Sequence, residues 1–130
     1  MAVAVTNRGR GYRDLFVFGK ARELASEIIR VTEGFPKSEI YGSVSQMRRA
    51  ALSIASNIAE GTRRCSRPEF IRFLRIAYGS AGELDAQVLV SHDAGWIDQA
   101  AFERLEGLVD DVSGLIWRLM EALKKQKTTK

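Results

Sequence analysis

One stretch of sixteen residues, Gln46 to Gly61 (QMRRAALSIASNIAEG), constrains the fold more than any other part of the chain. At about 100° per residue, Met47, Ala51, Ile54 and Ile58 fall on one stripe, flanked by Ala50 and Ala55. Arg49, Ser53, Ser56 and Glu60 fall on the opposite side. This is an amphipathic helix whose small residues let a neighbouring helix come close, and Gly61 marks its end or a point just before it. Ser43 and Gln46 have the spacing of a capping box, which places the helix start near Ser43.

The same period recurs in three other segments. Asp14 is the expected N-cap of a first helix running to about Glu33, with Phe18, Ala21, Ala25, Ile28 and Thr32 on one face and Val17, Leu24 and Val31 beside it. Gly34-Phe35-Pro36 should end it, glycine first and proline shortly after. Ser66-Arg67-Pro68-Glu69 is a capping box with proline in the first turn, and starts a third helix reaching about Ser91. Its core stripe is Phe70, Phe73, Leu74, Ala77, Ala81, Leu84 and Val88. Asp98 caps a fourth helix to about Lys124, with Phe102, Leu105, Val109, Val112, Ile116, Leu119 and Leu123 aligned. No stretch alternates with period two. The reading is an all-α protein, an antiparallel up-and-down four-helix bundle over residues 13–124, with a tail at 1–12 and a basic tail at 125–130.

Some function classes are disfavoured by what the chain carries. No run approaches the 18 apolar residues of a membrane span. The single cysteine, Cys65, permits no internal disulfide, and a cytoplasmic setting is expected. Bundle metal sites use Glu-x-x-His pairs, but the residue three before the one histidine, His92, is Leu89. No glycine spacing matches a nucleotide loop and no histidine is placed to activate Cys65, so neither enzymatic activity nor a metal or cofactor is expected. Glu60, Glu69 and Glu83 are read as ion-pair partners of Arg48, Arg49 and Arg72, and Trp96 and Trp117 as packing residues.

Charge is unevenly distributed. Residues 42–78 carry Arg48, Arg49, Arg63, Arg64, Arg67, Arg72 and Arg75 against Glu60 and Glu69. Residues 79–123 carry Arg104 and Arg118 against nine carboxylates. Two readings stand: a polyanion site on the arginines, or complementary charge between helices or subunits. In the third helix, Ile76, Gly79, Gly82 and Glu83 lie away from the core stripe, as do Gly107 and Gly114 in the fourth. Interior glycines cost about 1 kcal/mol each relative to alanine. Their outward placement points to self-association through these six residues.

Tyr12-Arg13-Asp14-Leu15, Phe35-Pro36, Gln46 to Gly61, Glu69 to Leu74 and Ile76 to Leu84 together resemble the four-helix-bundle proteins encoded by intervening sequences within bacterial 23S rRNA genes. A proline common in that family is Ala55 here, so a straight second helix is expected. The resemblance implies a ring-shaped homo-oligomer, pentameric in relatives, and an RNA connection. The related accessory factor of diversity-generating retroelements binds nucleic acid. By that analogy Arg48, Arg49 and Arg72 are candidate phosphate contacts, and the charge pattern adds Arg63, Arg64, Arg67 and Arg75. The alternative is a scaffold whose charged faces mediate self-assembly and recruit another protein.

Overall fold

The computed structural model describes Tyr12 and residues 15–126. Four helices fill them: α1 (Phe16–Thr32), α2 (Ser45–Thr62), α3 (Arg67–Asp93) and α4 (Gln99–Lys125), with no strand among the described residues. Each helix packs on its neighbours in sequence and α4 closes on α1, giving an up-and-down bundle. Leu24, Ile28, Met47, Ile54, Ile58, Leu74, Leu84, Val88, Leu105, Val112 and Ile116 are fully buried. They lie on the stripes that the 3.6-residue period selects, but the expected Phe18, Phe102 and Leu119 are only partly buried and Met120 is buried beside Leu119.

Local signals at the helix ends were partly legible. Ser66 Oγ accepts from Glu69 N at 3.2 Å, and Asp98 Oδ1 from Ala101 N at 2.8 Å, as the capping spacing requires. Helix α1 instead starts from Leu15, whose side chain makes no cap; Asp14 lies outside the described residues. The expected Ser43 start of α2 is displaced. A 3₁₀ turn (Lys37–Glu39) and a π-helical turn (Ile40–Val44) precede it, and Glu39 is the capping acceptor for Ser43 N. Capping-box spacing reports a helix start only where the intervening residues are themselves α-helical, and Gly42 departs from helical geometry with φ −112° and ψ −107°. From Ser45 onward α2 runs unbroken through Ala55.

The end of α1 also differs from expectation. Gly34 takes no left-handed conformation, and 3₁₀-type bonds wind the chain out of the helix: Gly34 N to Val31 O and Phe35 N to Thr32 O. Part of the work is done from α2, because Arg48 donates to Thr32 Oγ1 at 2.9 Å and to Ile29 O at 3.1 Å. A guanidinium supplied by the next helix thus adds a donor to a carbonyl in the last turn of α1, Ile29 O, which the Thr32 hydroxyl also reaches at 3.1 Å. The left-handed glycine sits instead after α3. Gly95 has φ +83°, and Trp96 N reaches back to Ser91 O at 3.0 Å.

The tightest helix contact is between α2 and α3. A Cβ added to Gly61 would meet Phe70 Cδ1 at 2.8 Å and Phe73 Cβ at 3.0 Å. Gly61 is therefore a packing glycine inside the last turn of α2 as well as a near-terminal one. Farther along the same seam, Ser53 and Ser80 hydroxyls meet at 2.8 Å, and Asn57 Nδ2 donates to Ser53 O at 2.8 Å. Alanine at position 61 would gain about 1 kcal/mol of helix propensity, but overpacking a filled contact typically costs about 1–3 kcal/mol. We expect Gly61→Ala to lower stability by up to about 2 kcal/mol, and Gly19→Ala, whose Cβ would meet nothing within 4 Å, to raise it by about 0.5–1 kcal/mol. Urea unfolding of the two variants beside the wild type measures both.

Candidate nucleic-acid interface

The end of the bundle where α2 leaves and α3 begins gathers most of the arginines. The connection from Arg63 to Ser66 is short and turns through Cys65, which takes a left-handed φ of 63°. The Cys65 side chain is exposed and contacts the Arg63 carbonyl at 3.6 Å. Around this turn, Arg63 lies over the Tyr12 ring at 5.7 Å. Arg64 and Arg72 converge on the buried Phe73, 4.9 and 4.5 Å from its ring centroid. Arg64 pairs with Glu60 at 2.7 Å and Arg72 with Glu69 at 3.1 Å. The Arg72 guanidinium holds the Glu69 carboxyl below the usual carboxylate range. Both pairs are exposed and leave the guanidinia outward, where such pairs contribute little to stability.

Helix α4 ends beside this turn. Arg67 donates to Gln126 O, tying the start of α3 to the end of α4. Arg67, Ile71, Arg75, Lys124 and Gln126 then line one surface groove of about 570 Å³. Lys124 and the neighbouring Lys125 thus join the arginines, which the pattern along α2 and α3 did not reveal. Their signal was their place in the last turn of a helix antiparallel to α3.

The seven arginines do not form one site. Arg63, Arg64, Arg67, Arg72 and Arg75 share the α2–α3 end, whereas Arg48 and Arg49 lie in the first turns of α2, about 21 Å away along the helix axis. Arg48 is committed to the end of α1. Arg49 and Arg75 are exposed and make no ion pair among the described residues. Glu83 meets Gln87, so the expected pairing of Glu60, Glu69 and Glu83 with Arg48 and Arg49 does not occur; of the three expected arginines Arg72 alone takes one of these carboxylates, Glu69, while Glu60 pairs with Arg64. Ile76, Gly79, Gly82 and Glu83 are exposed on the outer side of α3, and the glycines face open space. Gly107 is likewise open on α4, but Gly114 is covered by the Arg118 guanidinium, 3.3 Å from where a Cβ would stand.

This geometry fits one known family. The model of the 23S rRNA-intervening sequence protein matches residues 13–118. The chain belongs to that family. Its fold is shared by a protein of unknown function from the S23 ribosomal protein family of Bacteroides thetaiotaomicron, at 23% identity and a TM-score of 0.75, covering 81% of this chain and 98% of the other. No curated protein matches.

Other groups with chemical potential are placed as follows in this family member. His92 stacks on Phe102 at 3.9 Å and lies 3.1 Å from Gln99 Oε1. Trp96 packs on Phe35 at 5.4 Å, and the half-exposed Trp117 on Tyr78 at 5.6 Å. Among the described residues no three His, Cys, Asp or Glu side chains come together as a metal site, and no helix is long and apolar enough to cross a membrane.

Sequence reasoning missed one pair of carboxyls, Asp85 on α3 and Glu106 on α4. Asp85 Oδ1 and Glu106 Oε2 are shut off from solvent and have no donor among the described residues. Burial, the adjoining Asp85 carboxyl and the Asp110 charge push Glu106 up to about 7, so that protonated Glu106 can donate to Asp85. The folded protein then keeps a proton that the unfolded chain loses near its ordinary value of 4.5. Stability from this group is present at acid pH and falls as pH rises from about 4.5 to about 7. Thermal unfolding of Glu106→Gln should lack that slope and exceed the wild type most clearly at pH 8.

Proposed function

We propose that the protein is a non-enzymatic, homo-oligomeric, cytoplasmic RNA-binding protein whose basic end holds the phosphate backbone. The observation that carries this reading is the convergence of Arg63, Arg64, Arg67, Arg72, Arg75, Lys124 and Lys125 on one end of the bundle. The guanidinia of Arg64 and Arg72 are braced against Phe73 and by carboxylates, which fixes their positions before a ligand arrives. Phosphate contacts of this kind position a nucleic acid without reading its bases. The 23S rRNA setting in the family name supports RNA over DNA.

Assembly fits the same reading. Ile76 is 41% exposed and Val90 64% exposed on the outer side of α3, beside the open Gly79 and Gly82. A second copy packed there would cover apolar surface and repeat the basic end around a ring, converting a weak subunit contact into avidity.

Two measurements test the proposal. Binding to a structured rRNA fragment, followed across a salt series, should weaken in Arg63→Gln with Arg75→Gln. The slope of log affinity against log salt should fall by about 1.4–1.8, one phosphate contact per arginine. Unaltered binding and slope would remove the basic end from the reading. Separately, Ile76→Glu should lower the sedimentation coefficient while leaving the helical circular dichroism unchanged; a variant that sediments like the wild type would take this face out of the assembly.

A further inference from the structure

A second surface lies at the other end of α2 and uses none of the basic end. The turns before α2 border a shallow, open groove of about 760 Å³ on its outer side. Its walls are Ile40, Tyr41 and Val44 from the π-helical turn, and its floor is Ser45, Arg48, Arg49, Leu52, Ser53 and Ser56 from α2.

Three observations bear on what fills it. First, large apolar groups stand in solvent at its rim: Tyr41 is 95% exposed, Leu52 52% and Ile40 49%. Tyrosine and arginine are the residue types that anchor protein interfaces. Second, its charge is of one sign. No carboxylate lines it, Arg48 is held in place by Thr32 Oγ1 and Ile29 O, and Arg49 makes no ion pair among the described residues. Third, its shape is preset. Tyr41 rides on a turn closed by Ser43 N donating to Glu39 Oε1, and Ser45, Arg49, Leu52 and Ser56 repeat at helical spacing along about 16 Å of α2. Serines at both ends leave room for an approaching ridge.

We infer that this groove docks an amphipathic helix of a partner protein, one whose apolar residues meet Tyr41, Ile40 and Leu52 and whose flanking carboxylates meet Arg49, beside the positive charge of the immobilised Arg48. About three turns of such a helix match the length of the floor, in the manner of helix-in-groove recognition. A nucleic-acid strand fits less well. It would bring phosphates against Ile40, Val44 and Leu52 and find one aromatic ring for stacking.

The test uses the full chain and three labelled sixteen-residue helical peptides: leucines at i, i+4, i+7 and i+11 flanked by glutamates, the same leucines flanked by lysines, and a scrambled acidic control. By fluorescence anisotropy the glutamate helix should bind at least tenfold more tightly than either control. Leu52→Glu and Tyr41→Ala should each weaken it at least tenfold, and Arg49→Glu should shift preference to the lysine helix. Equal binding of the acidic control, or indifference to Leu52 and Tyr41, would overturn the inference. So would dissociation of a native oligomer by Leu52→Glu, which would assign the groove to a second copy, or competition by RNA, which would assign it to nucleic acid. RNA binding retained by Leu52→Glu separates this surface from the basic end.

Discussion

The close approach of α2 and α3 at Gly61 is the contact on which the rest of the molecule depends. Phe70 and Phe73 press against the last turn of α2, so closely that a single methyl group would collide with both. That contact sets how the short Arg63–Ser66 connection turns, and with it the relative position of two helices that run side by side along the Ser53–Ser80 bridge. The same Phe73 ring then becomes the platform for Arg64 and Arg72. Core packing and the disposition of surface charge thus share one residue. Burial of Phe73 supplies the apolar contact inward, and its ring also orders the two guanidinia that lie over it.

Antiparallel topology turns a charge pattern along the sequence into a charge pattern in space. The end of α2, the start of α3 and the end of α4 meet at one end of the bundle, so the arginines of two helices and the terminal lysines of a third accumulate there. A lysine in the last turn of a helix is favoured by the helix dipole for local reasons. Here the local preference coincides with the long-range one. On the α3–α4 side the opposite happens. Asp85 and Glu106 face each other across the interface with no cation paired to either among the described residues, and the mutual repulsion is relieved by retaining a proton.

Arginines of similar appearance in the sequence serve different ends. Arg48 closes the end of α1, Arg67 ties α3 to the end of α4, and Arg64 and Arg72 are braced on Phe73. Arg49, next to Arg48 in sequence, points about 100° away around the helix and lines a groove with exposed apolar neighbours. One step along a helix separates a fold-closing side chain from one that faces solvent.

The sequence by itself determined the four helices, their buried stripes and two of their caps, Ser66 and Asp98. These depend on the helical period and on hydrogen bonds between residues three apart, and both are local. It also determined that Gly79, Gly82 and Gly107 face outward. Only the tertiary structure decided how α1 ends, because the guanidinium that caps it comes from sixteen residues away. It decided that Gly61 is a packing contact, that seven arginines divide into two groups, and that two carboxyls share an interface. Each of these depends on which flanks of neighbouring helices face one another and at what register, and the periodicity of a single helix carries no information about its neighbour. The turn before α2 is the intermediate case. A helix start near Ser43 was legible, but the chain departs from α geometry at Gly42, the capping acceptor is Glu39 rather than Ser43, and Tyr41 stands in solvent.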